Sequence, residues 1–531
     1  MQNWLVLLPP FLVLGTVLVT QNLNISLIVG ILSAAFISTN YSLSASLQLL
    51  INRIIDQACT LDYLYMYAFL IIIGTLIILL SYSGGAKAFA DEITKRLKSA
   101  KAVETASLII SAFLFIDDYL SNLTVGYVLR PLTDRFHIPR AKLAYLIHSF
   151  SSPLVILIPI SSWVAMLTGQ INLAGISTDS PHTRIIADPF FIYISAIPFI
   201  FYSIFTIISV CLIVRTKISY GPMHAQEQIA SKTGNLFGGK TPIAQHLALH
   251  EGTQGKVIDL VLPLALLIIS VFAGLLFMGG YTLFGGSNSL LGALKNNTDT
   301  FFVFFIASAF TLAFSILFSY QRKTLHIPHL KTVFAQGFGL MKGAIIMLFL
   351  ASILGVLFKQ DLQIGNYLAH LLHGATALQF LPCIIFTLSA LVAIITGTSW
   401  GTIALMLPIT VQLITSLINT QSIYPEQIPL LFPLIGAIFS GAVCGDHISP
   451  ISETTIMAAT SAGAYPLDHV YTQFFYTLPA IVASFIAFLI AGFTAHHGLF
   501  MTLAISLLGG FCTCVLLLYL LNHFTKRILK Y

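Results

Sequence analysis

Apolar residues along this chain gather into runs of membrane-spanning length, rather than the alternation of half-buried strands or the stripes of soluble helices. Eleven such runs, 4–20, 23–38, 63–82, 143–167, 189–214, 257–278, 301–320, 343–358, 430–445, 471–493 and 499–521, read as ordinary spanning helices. Crossing the hydrocarbon core takes about 20 apolar residues, so the pattern predicts an all-α polytopic membrane protein. Two further apolar stretches are interrupted: 106–129 by Asp117-Asp118, and 378–418 by Thr396-Gly397-Thr398-Ser399-Trp400-Gly401.

Positive charge concentrates in 87–101, 130–142, 215–256 and 322–342, with Lys526, Arg527 and Lys530 at the end. The positive-inside rule assigns all of these to the cytoplasm. The stretch 106–129 lies between two of the basic segments, so a simple crossing would put one of them outside. It therefore reads as a re-entrant hairpin entered and left from the cytoplasm, with the polar pair at its tip. The flanks of 378–418, at 359–376 and 419–427, are nearly free of basic residues. A hairpin there opens from the other side, and two oppositely oriented hairpins indicate an inverted repeat with broken helices at its ion site. Pro131-Leu132-Thr133 and Pro159-Ile160-Ser161 in the first half are echoed in the same order by Pro408-Ile409-Thr410 and Pro450-Ile451-Ser452. The expected organisation is N-terminal helices 1–62, a first repeat 63–214, a cytoplasmic loop 215–256, linking helices 257–342, a second repeat 343–493, and a C-terminal helix with a basic tail 494–531.

Composition narrows the function. Of 531 residues 57% are hydrophobic and 8% charged, against roughly 25% charged in a soluble protein, which excludes a soluble enzyme. The net charge of +6 comes from Lys and Arg in short loops, a distribution that fits membrane orientation and not a nucleic-acid partner. The six Cys show neither metal spacing nor a disulfide framework. The first apolar run has no basic residues ahead of it and is expected to stay as a span.

An ionisable residue at bilayer depth costs roughly 2.5 to 3.5 kcal/mol on insertion scales, so those that persist usually line a cavity. They are Asp117, Asp118, His148, Asp446, His447 and Glu453. In the stretch from Cys444 to Thr455, Pro450 has no amide hydrogen to give to the carbonyl four residues earlier, so the Asp446 carbonyl is expected to be free. With Asp446, Glu453, Ser449, Ser452, Thr454 and Thr455 it would form an oxygen-rich site suited to a hard cation such as Na+. The plain alternative is a proline-kinked helix whose acids are neutralised by packing partners. Asp117 and Asp118 point about 100° apart on a helix, so one can face an ion while the other is structural, or both can cap a helix. Ser121, Asn122 and Thr124 lie just beyond, and Thr396, Thr398, Ser399 and Thr402 offer uncharged oxygens that suit an ion path or a close helix crossing. His148 reads as a buried hydrogen-bonded residue, whereas His447, beside Asp446, reads as a proton carrier.

Two matches are refused. The segment from Gly234 to Thr241 fits the P-loop letter for letter, but it follows no strand and sits in a short loop, so no nucleotide is expected. Gly397-Thr398-Ser399-Trp400-Gly401 fits the nucleophile elbow without a strand-to-helix setting, which leaves an intramembrane protease as a remote alternative.

Phe115-Ile116-Asp117-Asp118-Tyr119, the segment from Arg130 to Arg135, the segment from Thr396 to Gly401 and the segment from Gly445 to Thr455 together resemble the NhaC family of Na+/H+ antiporters, in the ion-transporter superfamily. The resemblance runs from about 63 to 479. It departs where Ile448 stands for the family's usual Cys and Glu453 for its usual Asp, which bears on ion preference more than on mechanism. It implies a secondary antiporter of a bacterial inner membrane, without a cofactor, that exchanges Na+ or Li+ for H+. Na+ would sit at Asp446, Glu453 and Asp118, assisted by Asp117, His447, Asn122, Thr398, Ser399, Ser449, Ser452 and Thr454. Relatives that exchange organic acids or amino acids keep a Na+- or H+-coupled organic exchanger open as the alternative.

Overall fold

The computed structural model describes residues 4–20, 22–95, 97–178, 183–242, 255–295, 300–325, 327–364, 367, 378–418 and 423–528. Parts of the flanks of the second interrupted stretch, 368–377 and 419–422, lie outside the described residues. The described chain is nearly all helix, with one pair of two-residue parallel strands, Ile176–Ser177 and Ile185–Ile186. Ten described helices are long and apolar enough to cross a membrane, and up to eleven if the bent pair Arg140–Leu157 and Ser162–Leu173 is one span.

That number matches the expectation, but the membership differs. The run 143–167 is divided around Pro159, where its two helices meet at 53°. The run 189–214 is divided by the turn Ile197–Phe199, which contains Pro198. In both cases proline removes an amide donor inside an otherwise continuous apolar run. The basic segment 322–342, expected as a loop, is largely part of the 30-residue helix Ile327–Val356. Lys and Gln there are good helix formers and Pro328 sits in the first turn, where it is tolerated. The connector after the second run holds a helix, Leu43–Cys59. Leu378–Thr396 and Ser399–Leu417, the arms of the second interrupted stretch, are each 19 residues and of spanning length. The apolar helices Trp4–Val13, Asn24–Ser38 and Pro189–Phe199 are shorter.

Two quartets of helices surround the interruptions. The first is α1 Ala100–Phe113, α2 Asp118–Arg135, α3 Arg140–Leu157 and α4 Ser162–Leu173. The second is α5 Leu381–Thr396, α6 Ser399–Ile418, α7 Leu431–Ile448 and α8 Glu453–Ala462. Their lengths run 14, 18, 18, 12 and 16, 20, 18, 10 residues. Each quartet has a break after its first helix, a proline inside its second (Pro131, Pro408), and a Pro-Ile-Ser break after its third. Proline ends the earlier helix, and Ser161 or Ser452 takes the N-cap of the next.

The core lies along α7, which is almost wholly buried. Gly441 and Gly445 bring it against α5 so closely that a Cβ would stand 2.5 Å from the Phe386 carbonyl oxygen and 2.2 Å from that of Ala390. At the periphery, Leu499–Ile528 leaves Phe500, Leu508 and Leu516 exposed, a surface suited to lipid.

Candidate functional site

The break between α1 and α2 separates the adjacent aspartates by role. Asp117 has extended backbone and caps α2: its Oδ1 accepts the Leu120 N–H at 3.0 Å and its Oδ2 the Ser162 hydroxyl at 2.8 Å. Asp118, the first residue of α2, accepts the Ser152 hydroxyl at 3.0 Å and the Trp163 indole N–H at 3.3 Å. Asp118 faces a cavity of about 340 Å³, while Asp117 is not among the residues lining it. Asn122 also lies off the cavity, where its Oδ1 accepts the Ser151 hydroxyl at 2.7 Å.

At the other acidic break, α7 ends on Ser449 ahead of Pro450. The Asp446 carbonyl is not free as the sequence suggested. It accepts the Ser449 amide at 3.3 Å and the Thr455 hydroxyl at 3.1 Å, which occupy the place the proline leaves open. The Asp446 carboxylate accepts the Ser452 hydroxyl at 2.7 Å and the Thr454 hydroxyl at 2.5 Å. It is 4% exposed, against the same cavity. Glu453 begins α8, is exposed to the cavity, and accepts the Tyr119 phenol O–H at 3.0 Å, a link between the quartets. Ser452 additionally caps α8, and Ser449 donates to the Ile394 carbonyl of α5 at 2.9 Å.

The uncharged break contributes the third wall. Gly397 closes α5 at φ +67°, a conformation open to glycine. Thr398 and Ser399 line the cavity, and Ser399 donates to the Ala442 carbonyl at 3.1 Å. The helix Ile327–Val356 completes the enclosure with Met341 and Met347.

Asp118, Asp446, Glu453, Thr398, Ser399 and Thr454 therefore share one cavity, whereas Asp117, Asn122, His447, Ser449 and Ser452 do not line it. Among the described residues no three His, Cys, Asp or Glu groups come together as a metal-ligand cluster. The acids face one void without closing into a cage, so a cation there would draw on carboxylate, hydroxyl and water oxygens together.

The histidine beside the site is His148 rather than His447. His148 Nε2 lies 3.1 Å from the Thr454 hydroxyl and 3.8 Å from Asp446 Oδ2, while His447 turns away to the Tyr202 hydroxyl at 3.0 Å. His469 and Gln473, which sequence reading passed over, contact His148 Nδ1 at 3.2 and 2.9 Å. Trp163 and Trp400 were also missed; their rings meet edge to face at 5.8 Å on the cavity wall. They are two of only three tryptophans in the chain. Each follows a serine just past a break, away from the interfacial belts where membrane proteins usually place this residue. The refused P-loop match is a turn: Gly234 ends the helix Gly221–Thr233, and Lys240 pairs with Asp468 at 2.6 Å.

A second cavity, of about 700 Å³, is lined by Arg53, Asp188 and Lys359 among others. It shares α4 with the first: Trp163 lines one, and Thr168 and Asn172 the other.

A crystal structure of the YdaH transporter of Alcanivorax borkumensis superposes with a TM-score of 0.52, covering 85% of this chain and 89% of that one at 12% sequence identity, a likeness of fold. An uncharacterized protein of Haemophilus influenzae is 31% identical over 512 residues, 94% of this chain and 93% of its own length. A Bacillus subtilis protein named malate-2H+/Na+-lactate antiporter is 34% identical over 122 residues, 22% of this chain and 24% of that protein. The sequence profile of the Na+/H+ antiporter family matches residues 154–493, well over half of the chain. This multi-pass membrane protein is a secondary transporter, not an enzyme, and it belongs to the Na+/H+ antiporter family.

Proposed function

We propose that the protein exchanges Na+ or Li+ for H+ across a bacterial inner membrane by alternating access, with cation and proton competing for Asp446, Glu453 and Asp118. The observation that carries this reading is that the three carboxylates face one cavity whose described lining contains no Lys, Arg or His. A bound cation favours the carboxylate, and a bound proton removes the charge that attracts the cation, so occupancy by one opposes the other. Thr398, Ser399 and Thr454 supply neutral oxygens, and Tyr119 holds Glu453 toward the opposite quartet. If the empty, ionised site reorients slowly, each turnover carries a proton one way or Na+ the other. Two cavities at different levels of α4 suit a carrier that opens to its two sides in turn. The matching order of the quartets supports an inverted repeat, with 106–129 and 378–418 as its two hairpins.

The organic-acid alternative needs a cavity for several heavy atoms and a basic or amide anchor. The volume is present, but the described lining of the acidic cavity offers no Lys, Arg, Asn or Gln; Arg53 and Lys359 line the second cavity instead. The test is purified protein in liposomes with an internal pH dye, pulsed with Na+, Li+, K+, malate and amino acids. Responses to Na+ and Li+ are expected. A response to malate or an amino acid without one to Na+ or Li+ overturns the proposal.

A further inference from the structure

The cavity has features that a bare metal ion does not use. The cavity, of about 340 Å³, has room for more than a metal ion alone. Part of its wall is apolar, from Leu340, Met341 and Met347. The indoles of Trp163 and Trp400 form another part; because they meet edge to face at 76°, the edge-on ring keeps its faces clear of its partner. The Trp163 N–H is engaged by Asp118, whereas the Trp400 N–H has no hydrogen-bond partner among the described residues, although the side chain is only 8% exposed.

Negative charge, aromatic faces and an apolar floor around one void are the elements that bind an organic ammonium ion: carboxylates meet the charge, indoles add cation–π attraction, and thioethers cover the methylenes. The unengaged indole N–H adds a donor for an oxygen on the same ligand. We propose that this cavity also accepts a small organic ammonium ion bearing an oxygen acceptor, carried in exchange for protons in place of Na+. This rests on the reading that Asp118, Asp446 and Glu453 form the transport site. It extends that site from an inorganic to an organic cation, and the acidic lining of this cavity favours a cation over an organic anion.

Choline, a quaternary ammonium with one hydroxyl and no dissociable proton on nitrogen, tests this in the same dye-loaded liposomes. A choline pulse is expected to raise internal pH, and choline present during a Na+ pulse to inhibit the Na+ response competitively. In Trp400→Leu the ratio of choline response to Na+ response is expected to fall about tenfold. A wild-type protein that responds to Na+ but not to choline overturns the inference, whether or not choline inhibits the Na+ response. So does a Trp400→Leu protein with an unchanged ratio. The choline response of the wild type decides the matter even if that variant does not assemble. A response to choline without one to Na+ upholds the organic cation and overturns the sodium reading; a response to neither overturns both.

Discussion

The two quartets follow one plan but place their acids at opposite breaks. Aligning the Pro-Ile-Ser tripeptides sets Ser162 opposite Glu453, Trp163 opposite Thr454 and Val155 opposite Asp446. Aligning the first residues of α2 and α6 sets Asp118 opposite Ser399 and Tyr119 opposite Trp400. The first quartet is thus acidic after its first helix and neutral at Pro-Ile-Ser, and the second is the reverse. The four breaks still meet at one cavity. Acids at all four would crowd like charges into a single void, which disfavours their ionised forms. The crossed arrangement gives the void carboxylates from both halves and hydroxyls from the second, with fewer repelling pairs.

The severest way to break the comparison is Asp446→Asn, which keeps shape and loses charge. Na+-dependent proton flux should fall by at least about a hundredfold with membrane expression unchanged. Normal flux would remove Asp446 from the site. The crossed plan itself is sharpened by Asp118→Ser alone and combined with Ser399→Asp. The single change should lower exchange roughly thirtyfold, and the pair should recover most of it by restoring a carboxylate at the equivalent break. A double variant no better than the single one would show that the quartets are not interchangeable there. Smaller still is the contrast between neighbours: Asp117→Ala should lower helix stability by about 1 kcal/mol through the lost cap. Its thermal midpoint should fall while exchange per folded molecule changes far less than in Asp118→Ser. Least of all, Tyr119→Phe removes one hydrogen bond to Glu453 and should raise the half-saturating Na+ concentration about threefold to tenfold.

Sequence alone exposed the apolar runs, the acids and the echoed tripeptides, because each is a property of residue type and spacing. It did not separate Asp117 from Asp118, since the choice depends on Ser162, Ser152 and Trp163, which lie 34 to 45 positions away. It favoured His447 for its place beside Asp446. Neighbours on a helix point about 100° apart, so that adjacency turned the ring toward Tyr202 and left the contact with Thr454 to His148 on α3. The Asp446 carbonyl was misread for a related reason. The missing amide of Pro450 was visible, but the Thr455 hydroxyl that takes its place is nine residues on. Pro159 and Pro198 lay within continuous apolar runs, and the breaks they make became evident only in three dimensions.

The glycines at 441 and 445 bear on how such a carrier could move. With no side chain between α7 and the carbonyls of α5, these rods lie backbone against backbone. This packed pair, like a girder, bears both the uncharged turn and the Asp446 end. If the proposed alternating-access cycle moves this pair as one body, the swing that exposes the cargo to the opposite bath is carried by the partner bundle, and a crosslink welding α5 to α7 is expected to leave turnover running.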